Sequence, residues 1–169
     1  MDRPLLMGLV LLLLIVLLAL MFWGWRKRQR SQSGVVGPEA VPADIGDVHG
    51  SFDGLYVATT VAGEPLNRIT VRGLGFRSRA SVTVAADGII VALRGEPEAW
   101  ISTTNLREVT RATWTIDRVV EDGGLVLIAW TLGDGETATA VDSYFRLDRS
   151  PELLDAINLI FPVSTGRKA

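Results

Sequence analysis

From Leu5 to Trp25 the chain reads LLMGLVLLLLIVLLALMFWGW, with no charged residue between Arg3 and Arg26. A run of that length and uniformity predicts one α-helix of roughly 30 Å, the hydrocarbon thickness of a bilayer. The apolar pattern then lapses. Ser31 to Gly46 mixes Ser, Gly and Pro with short apolar residues, which predicts a flexible tether.

From Leu55 onward short β-branched runs alternate with turn signals. Strands are expected at Leu55–Val61, Arg68–Arg72, Arg79–Ala85, Ile89–Arg94, Trp100–Thr103, Leu106–Ile116, Leu125–Thr131 and Thr137–Leu147. Asp87-Gly88 is the hairpin turn between the third and fourth of these, because Asp-Gly tolerates the positive φ angles of tight turns. Leu125–Thr131 is apolar on both faces and therefore central. The period changes after Ser150. Pro151 suits a first helical position with Ser150 as its cap, and Leu153, Leu154, Ile157, Ile160 and Phe161 form an apolar stripe that Pro162 ends. The expected organisation is an anchor over 1–30, a linker over 31–50 and a domain over 51–169.

Charge sets the topology expected of such an anchor. Arg26, Lys27, Arg28 and Arg30 crowd its C-terminal flank, and positive flanks stay on the cytoplasmic side. The N-terminus is therefore expected outside the cell membrane and the domain in the cytoplasm, the whole being a single-pass protein. A cleaved signal peptide fits poorly, since the basic cluster comes last and Phe22, Trp23 and Trp25 stand where small residues belong. Beyond residue 30 there are twelve Lys and Arg against eighteen Asp and Glu, net −6. That sign argues against a nucleic-acid partner. The chain has no cysteine, which removes disulfides, thiolate metal sites and thiol nucleophiles.

Candidate chemistry is sparse. Asp44 to Gly54 (DIGDVHGSFDG) resembles the first signature of calcineurin-like metallophosphoesterases, with Asp47 and His49 in the ligand positions. His49 is the one histidine of the chain and no second ligand signature follows, so a polar turn is the expectation, with no metal and no cofactor. No nucleophile or phosphate-loop motif stands out, and no catalytic residue is expected. Two groups have two readings each. Arg68, Arg72, Arg77 and Arg79 are either a solvated strand face or a patch for anionic lipid headgroups, gripping phosphate through forked hydrogen bonds. Trp100 and Trp114 are either core or aromatic anchors for a protein partner.

The expected fold is an N-terminal single transmembrane α-helix followed by a mainly-β domain. About seven antiparallel strands closed by one amphipathic helix resemble the pleckstrin-homology-like (PH-like) plan, and Thr104 to Val109 (TNLREV) is similar to the stretch before a PH-like hairpin. Tyr56 to Thr60 with Gly63, Gly73 to Arg77, Val82 to Ile89, Trp114 and Trp130 to Asp134 further resemble actinobacterial single-pass membrane proteins with a cytoplasmic PH-like domain. Their genes sit near pyrimidine-biosynthesis genes, and they carry loose membrane, export or transporter labels. The resemblance implies a membrane-tethered, non-catalytic module that recruits or regulates a protein. An accessory role in transport or export, or anionic-lipid binding through the arginines, is the alternative.

Overall fold

The computed structural model describes residues 3–32, 37–112, 114–115, 118–119 and 124–162, with side chains at 4, 7–23, 37–71, 73–111 and 124–162. The backbone separates into two compact units, Met1–Gly34 and Val35–Ala169. In the first, α1 runs from Arg3 to Gln32. Its large apolar side chains from Met7 to Trp23 are all exposed, between 46 and 73 %. Among the described residues no helix is long and apolar enough to cross a membrane.

The second unit is built on β1, a fourteen-residue strand from Val48 to Val61. It is followed by β2 (Glu64–Arg68), β3 (Ser78–Ala85), β4 (Gly88–Leu93), β5 (Ala99–Ser102), β6 (Leu106–Ala112), β7 (Trp114–Thr115), β8 (Arg118–Val119), β9 (Leu125–Leu132) and β10 (Thr139–Leu147). Helix α2 (Ser150–Asn158) comes last. Eight strands share one antiparallel sheet in the order β5-β4-β3-β1-β10-β9-β6, with β2 added to β1, and β7 and β8 form a separate hairpin. The outermost strands β5 and β6 are consecutive in the chain, joined by residues 103–105. Such a link spans roughly 15 Å at full extension, so the sheet must curl until its edges approach. Asn105 stitches this corner, taking the Thr131 N–H at 2.9 Å and donating its own N–H to Ser102 O at 3.0 Å.

Several boundaries differ from the sequence expectations, each for a local reason. The first strand begins at Val48, because residues 48–56 already pair with β3. The strand expected at 68–72 lies instead at 64–68. The chain then leaves the sheet in a 3-10 turn over Val71–Gly73, where Gly73 takes φ +77°. The strand expected over 106–116 ends at Ala112, and β7 belongs to the separate hairpin. Before β10 a 3-10 turn occupies Gly135–Thr137. Ser150 is the first residue of α2, not its cap, and its hydroxyl donates to Leu147 O at 3.0 Å.

The stretch read as the second half of the linker is bonded to the domain. Glu39 bridges to β5 by accepting the Trp100 N–H at 2.9 Å, and Pro38 is buried. Asp47 O takes the Ala86 N–H at 2.9 Å and Ile45 O the Asp87 N–H at 3.2 Å. The DIGD segment is a local turn in which Asp44 Oδ1 accepts the Gly46 N–H at 3.1 Å.

Inside the curl lies one core, to which β1, β3, β4, β5, β6, β9 and β10 all contribute. The stripe of α2 closes it: Leu153 and Ile157 are fully buried, Leu154 and Ala156 nearly so, and Ile160 and Phe161 pack at its margin. Leu159, on the other side of the helix, is 72 % exposed. Replacing Ile157 by Ala should lower unfolding free energy by about 2–5 kcal/mol in a denaturant titration. Leu159→Ala should change it by less than about 0.5 kcal/mol.

Candidate functional site

Sheet alternation sends Phe52, Tyr56, Ala80, Val82, Leu93, Phe145 and Leu147 inward, so their sequence neighbours face out. The pairing register then writes the outer surface. Leu55 lies opposite Arg79 on one side and Arg146 on the other. Ala80 pairs with Leu93, which places Arg94 beside Arg79, and the Arg94 N–H donates to Arg79 O at 3.1 Å. One row therefore reads Arg94, Arg79, Leu55, Arg146 across β4, β3, β1 and β10. The next reads Ala92, Ser81, Asp53, Asp148, the last pair held by the Asp148 N–H on Asp53 O at 3.2 Å.

These rows meet in a hollow of about 650 Å³ lined by Arg79, Arg94, Asp53, Asp148, Leu55 and the small residues Gly54, Ala80, Ser81 and Ala92. That volume is within the range of small-molecule sites, roughly 300–1,000 Å³. The four charged side chains are exposed, and among the described residues none of them makes an ion pair. Like charges directly opposite on neighbouring strands repel. Here the register sets two arginines next to each other on one side and two aspartates next to each other on the other. Gly54 lends only its backbone to the hollow: it falls in the inward series with Phe52 and Tyr56, where a Cβ would collide with Arg146 O and Leu147.

Of the four arginines singled out in the sequence, the fold brings only Arg79 to this hollow. Arg68 ends β2 opposite Thr60, and the Arg72 backbone lies in the 3-10 turn, so the two do not share a strand face. The Arg72 side chain lies outside the described residues. Arg77 is exposed just ahead of β3, next to Phe76, which is 72 % exposed. Arg94, Arg146, Asp53 and Asp148 were not singled out, since only the register brings them to Arg79. Trp100 is buried at 6 % with its ring against Gly88, where a Cβ would stand 2.7 Å from Trp100 Cζ2. The side chains of Trp114 and of Arg26, Lys27, Arg28 and Arg30 lie outside the described residues. Asp47 and His49 are exposed, and among the described residues no three His, Cys, Asp or Glu side chains gather as a metal site.

A buried polar chain holds the hollow's frame. The Tyr56 hydroxyl lies 2.6 Å from Thr59 Oγ1 and also bonds Leu74 O, a carbonyl that can only accept. Thr59 Oγ1 lies 2.7 Å from Ser143 Oγ, which accepts the Trp130 indole N–H at 2.9 Å. Tyr56 also meets Phe145 edge-on, with centroids 5.5 Å apart. Burial raises the Tyr56 phenol well above its usual 10.0, against weaker opposing effects from the Thr59 hydrogen bond and the Arg68 charge.

An antiparallel sheet of eight strands curled on itself, its long first strand shared between both halves and one C-terminal helix over the core, is the architecture of a PH-like domain. Residues 36–159 match the bacterial PH domain-like family, and the chain belongs to that family. No curated protein matches the chain. PH-like domains are generally non-catalytic and serve as binding or scaffold modules.

The phenol supplies a test. Its folded pKa lies above the unfolded value, so its contribution to stability is whole below about pH 10 and drains away as pH rises from there. Tyr56→Phe should cost about 1–2 kcal/mol at neutral pH. It should also flatten the loss of stability that wild type shows in denaturant titrations above pH 10.

Proposed function

We propose that the chain is a membrane-tethered, non-catalytic PH-like module that binds an anionic group in the Arg79–Arg94 hollow at the cytoplasmic face of the cell membrane. The observation that carries this reading is the like-charge pair itself. Two arginines opposite each other in the backbone register, with no ion pair among the described residues, would be relieved by an anion between them, to which each can present a fork of N–H donors. Phosphate and carboxylate, on a lipid headgroup or a soluble molecule, are the chemistries that fit.

The tether is supported by the run Leu5 to Trp25, apolar on every side, and by the exposure of its side chains in α1. A helix apolar all round is at home in a protein core or in lipid. The basic flank Arg26 to Arg30 then favours a cytoplasmic domain, as in the actinobacterial membrane proteins the sequence resembles.

A second reading, recruitment of a protein, has its own surface. A groove of about 450 Å³ runs between the start of β1 and α2, lined by His49, Phe52, Arg149, Glu152, Asp155 and Leu159. Arg149 spans it, donating to Ser51 O at 3.1 Å with its guanidinium 5.3 Å from the Phe52 ring centre. The exposed Leu159 and the unshielded acids suit a basic segment of a partner, a transport or export complex included.

Titrating full-length chain in detergent with inorganic phosphate should show binding that falls at least tenfold in R79Q/R94Q and stays unchanged in R107Q, an exposed arginine on β6. Equal binding by all three removes the anion site. For the tether, carbonate-washed membranes should retain the chain. In intact cells a membrane-impermeant maleimide should label Asp2→Cys and spare Glu98→Cys, each the sole thiol of its variant. The reverse pattern inverts the topology. Cross-linking in cells that captures a discrete partner from wild type but not from Leu159→Glu would establish the second reading.

A further inference from the structure

The hollow is not simply basic. Facing Arg79 and Arg94 across its floor are Asp53 and Asp148, one pleat away on β1 and at the end of β10, and among the described residues neither carboxylate makes an ion pair. A site for a bare anion gains nothing from two carboxylates on its rim, which repel what the arginines attract. Asp53 lies opposite Ser81 and Arg79 opposite Leu55, so these two are diagonal neighbours, about 7–8 Å apart in the backbone, while Arg94 and Asp148 each stand one strand further out on opposite sides. Beside the two charged pairs the outward side chains are uncharged, Ser81, Ala92 and Leu55, with the backbone of Gly54 and Ala80 beneath them.

We propose, resting on the anion-binding reading, that the hollow takes a zwitterion: a phosphate or carboxylate gripped by Arg79 and Arg94, carrying a primary ammonium two or three atoms away that donates to Asp53 and Asp148. The phosphoethanolamine group is the simplest molecule of that kind. Its anionic and cationic ends complement the two pairs, and each end relieves one like-charge pair. An ammonium with three N–H donors satisfies two carboxylates at once, whereas a trimethylated one has none to offer. The same group occurs free and as a lipid headgroup, and the two sources can be told apart.

The probes are O-phosphoethanolamine, phosphocholine and inorganic phosphate, titrated calorimetrically into full-length chain in detergent. The variants are wild type, R79Q/R94Q and D53N/D148N, all changes to exposed side chains, with melting temperatures measured to establish folding. Wild type should prefer phosphoethanolamine over both other probes by at least tenfold. R79Q/R94Q should lose all three. D53N/D148N should bind phosphoethanolamine at least tenfold more weakly and inorganic phosphate more tightly, and that opposite movement is the signature of an ammonium subsite. Equal affinity of wild type for phosphate and phosphoethanolamine, or D53N/D148N strengthening both, overturns the zwitterion and leaves the anion site standing. No binding of any probe overturns both. In nanodiscs rich in phosphatidylethanolamine, loss of uptake of the soluble probe relative to phosphatidylglycerol nanodiscs assigns the site to a headgroup. Equal uptake in both assigns it to a free molecule.

Discussion

One strand has to serve two halves of a sheet. Residues 48–56 of β1 pair with β3 and residues 54–61 pair with β10, so Gly54, Leu55 and Tyr56 are hydrogen-bonded to neighbours on both sides. Gly54 lies in this doubly paired stretch, where β10 approaches so closely that a Cβ would collide with Arg146 O and Leu147. Past this point each half bends its own way. The bend is taken up by slips in register, at 56–58 against β10 and at 48–50 against β3. The curl, the shared core and the hollow over Gly54 all follow from that crossing.

Fixing the crossing takes more than backbone. Tyr56 is the last residue of β1 paired with both β3 and β10, and its hydroxyl reaches Thr59 and the Leu74 carbonyl inside the core. Thr59 is bonded in turn to Ser143 on β10, which holds Trp130 on β9. Three strands and the loop before β3 are thus tied by one polar chain in a region where an unmade hydrogen bond costs about 1–3 kcal/mol. Such a chain is directional where apolar packing is not. Leu74 must sit over Tyr56, which sets where the chain enters β3 and so where Arg79 stands.

The alternation of β-branched residues made nearly all the strands legible, and the stripe Leu153, Leu154, Ile157 made α2 legible, because both report burial directly. Register was not legible, and the site depends on it. Taking Asp87-Gly88 as the two turn residues places Arg79 opposite Glu96, an attractive pair. The fold turns one residue earlier, at Ala86-Asp87, so that Ala85 pairs with Gly88 and Arg79 with Arg94. The reason is remote in sequence: Gly88 is kept in the strand because the Trp100 ring lies on it, and the turn is pinned from outside by Asp47 and Ile45. A glycine required by a distant indole looks, in the sequence, like a glycine required by a turn. The same blindness hid the order of residues 37–47, whose Pro and Gly read as a tether although their backbone groups are bonded to β5 and the β3–β4 turn.

Charge completes the argument in a way that composition conceals. The chain beyond residue 30 is net acidic, which taken alone predicts weak interest in anions. Yet at distances inside a Debye length of about 8–10 Å the arrangement of individual groups outweighs the total. Around Leu55 the register gathers three of the twelve basic residues found beyond residue 30, Arg79, Arg94 and Arg146, into one row, and sets Asp53 and Asp148 in the next. A ligand approaching that surface meets a dipole laid across the strands. The proposed site therefore reads a molecule's internal charge separation more than its net charge, and that reading depends on which residue faces which across β1.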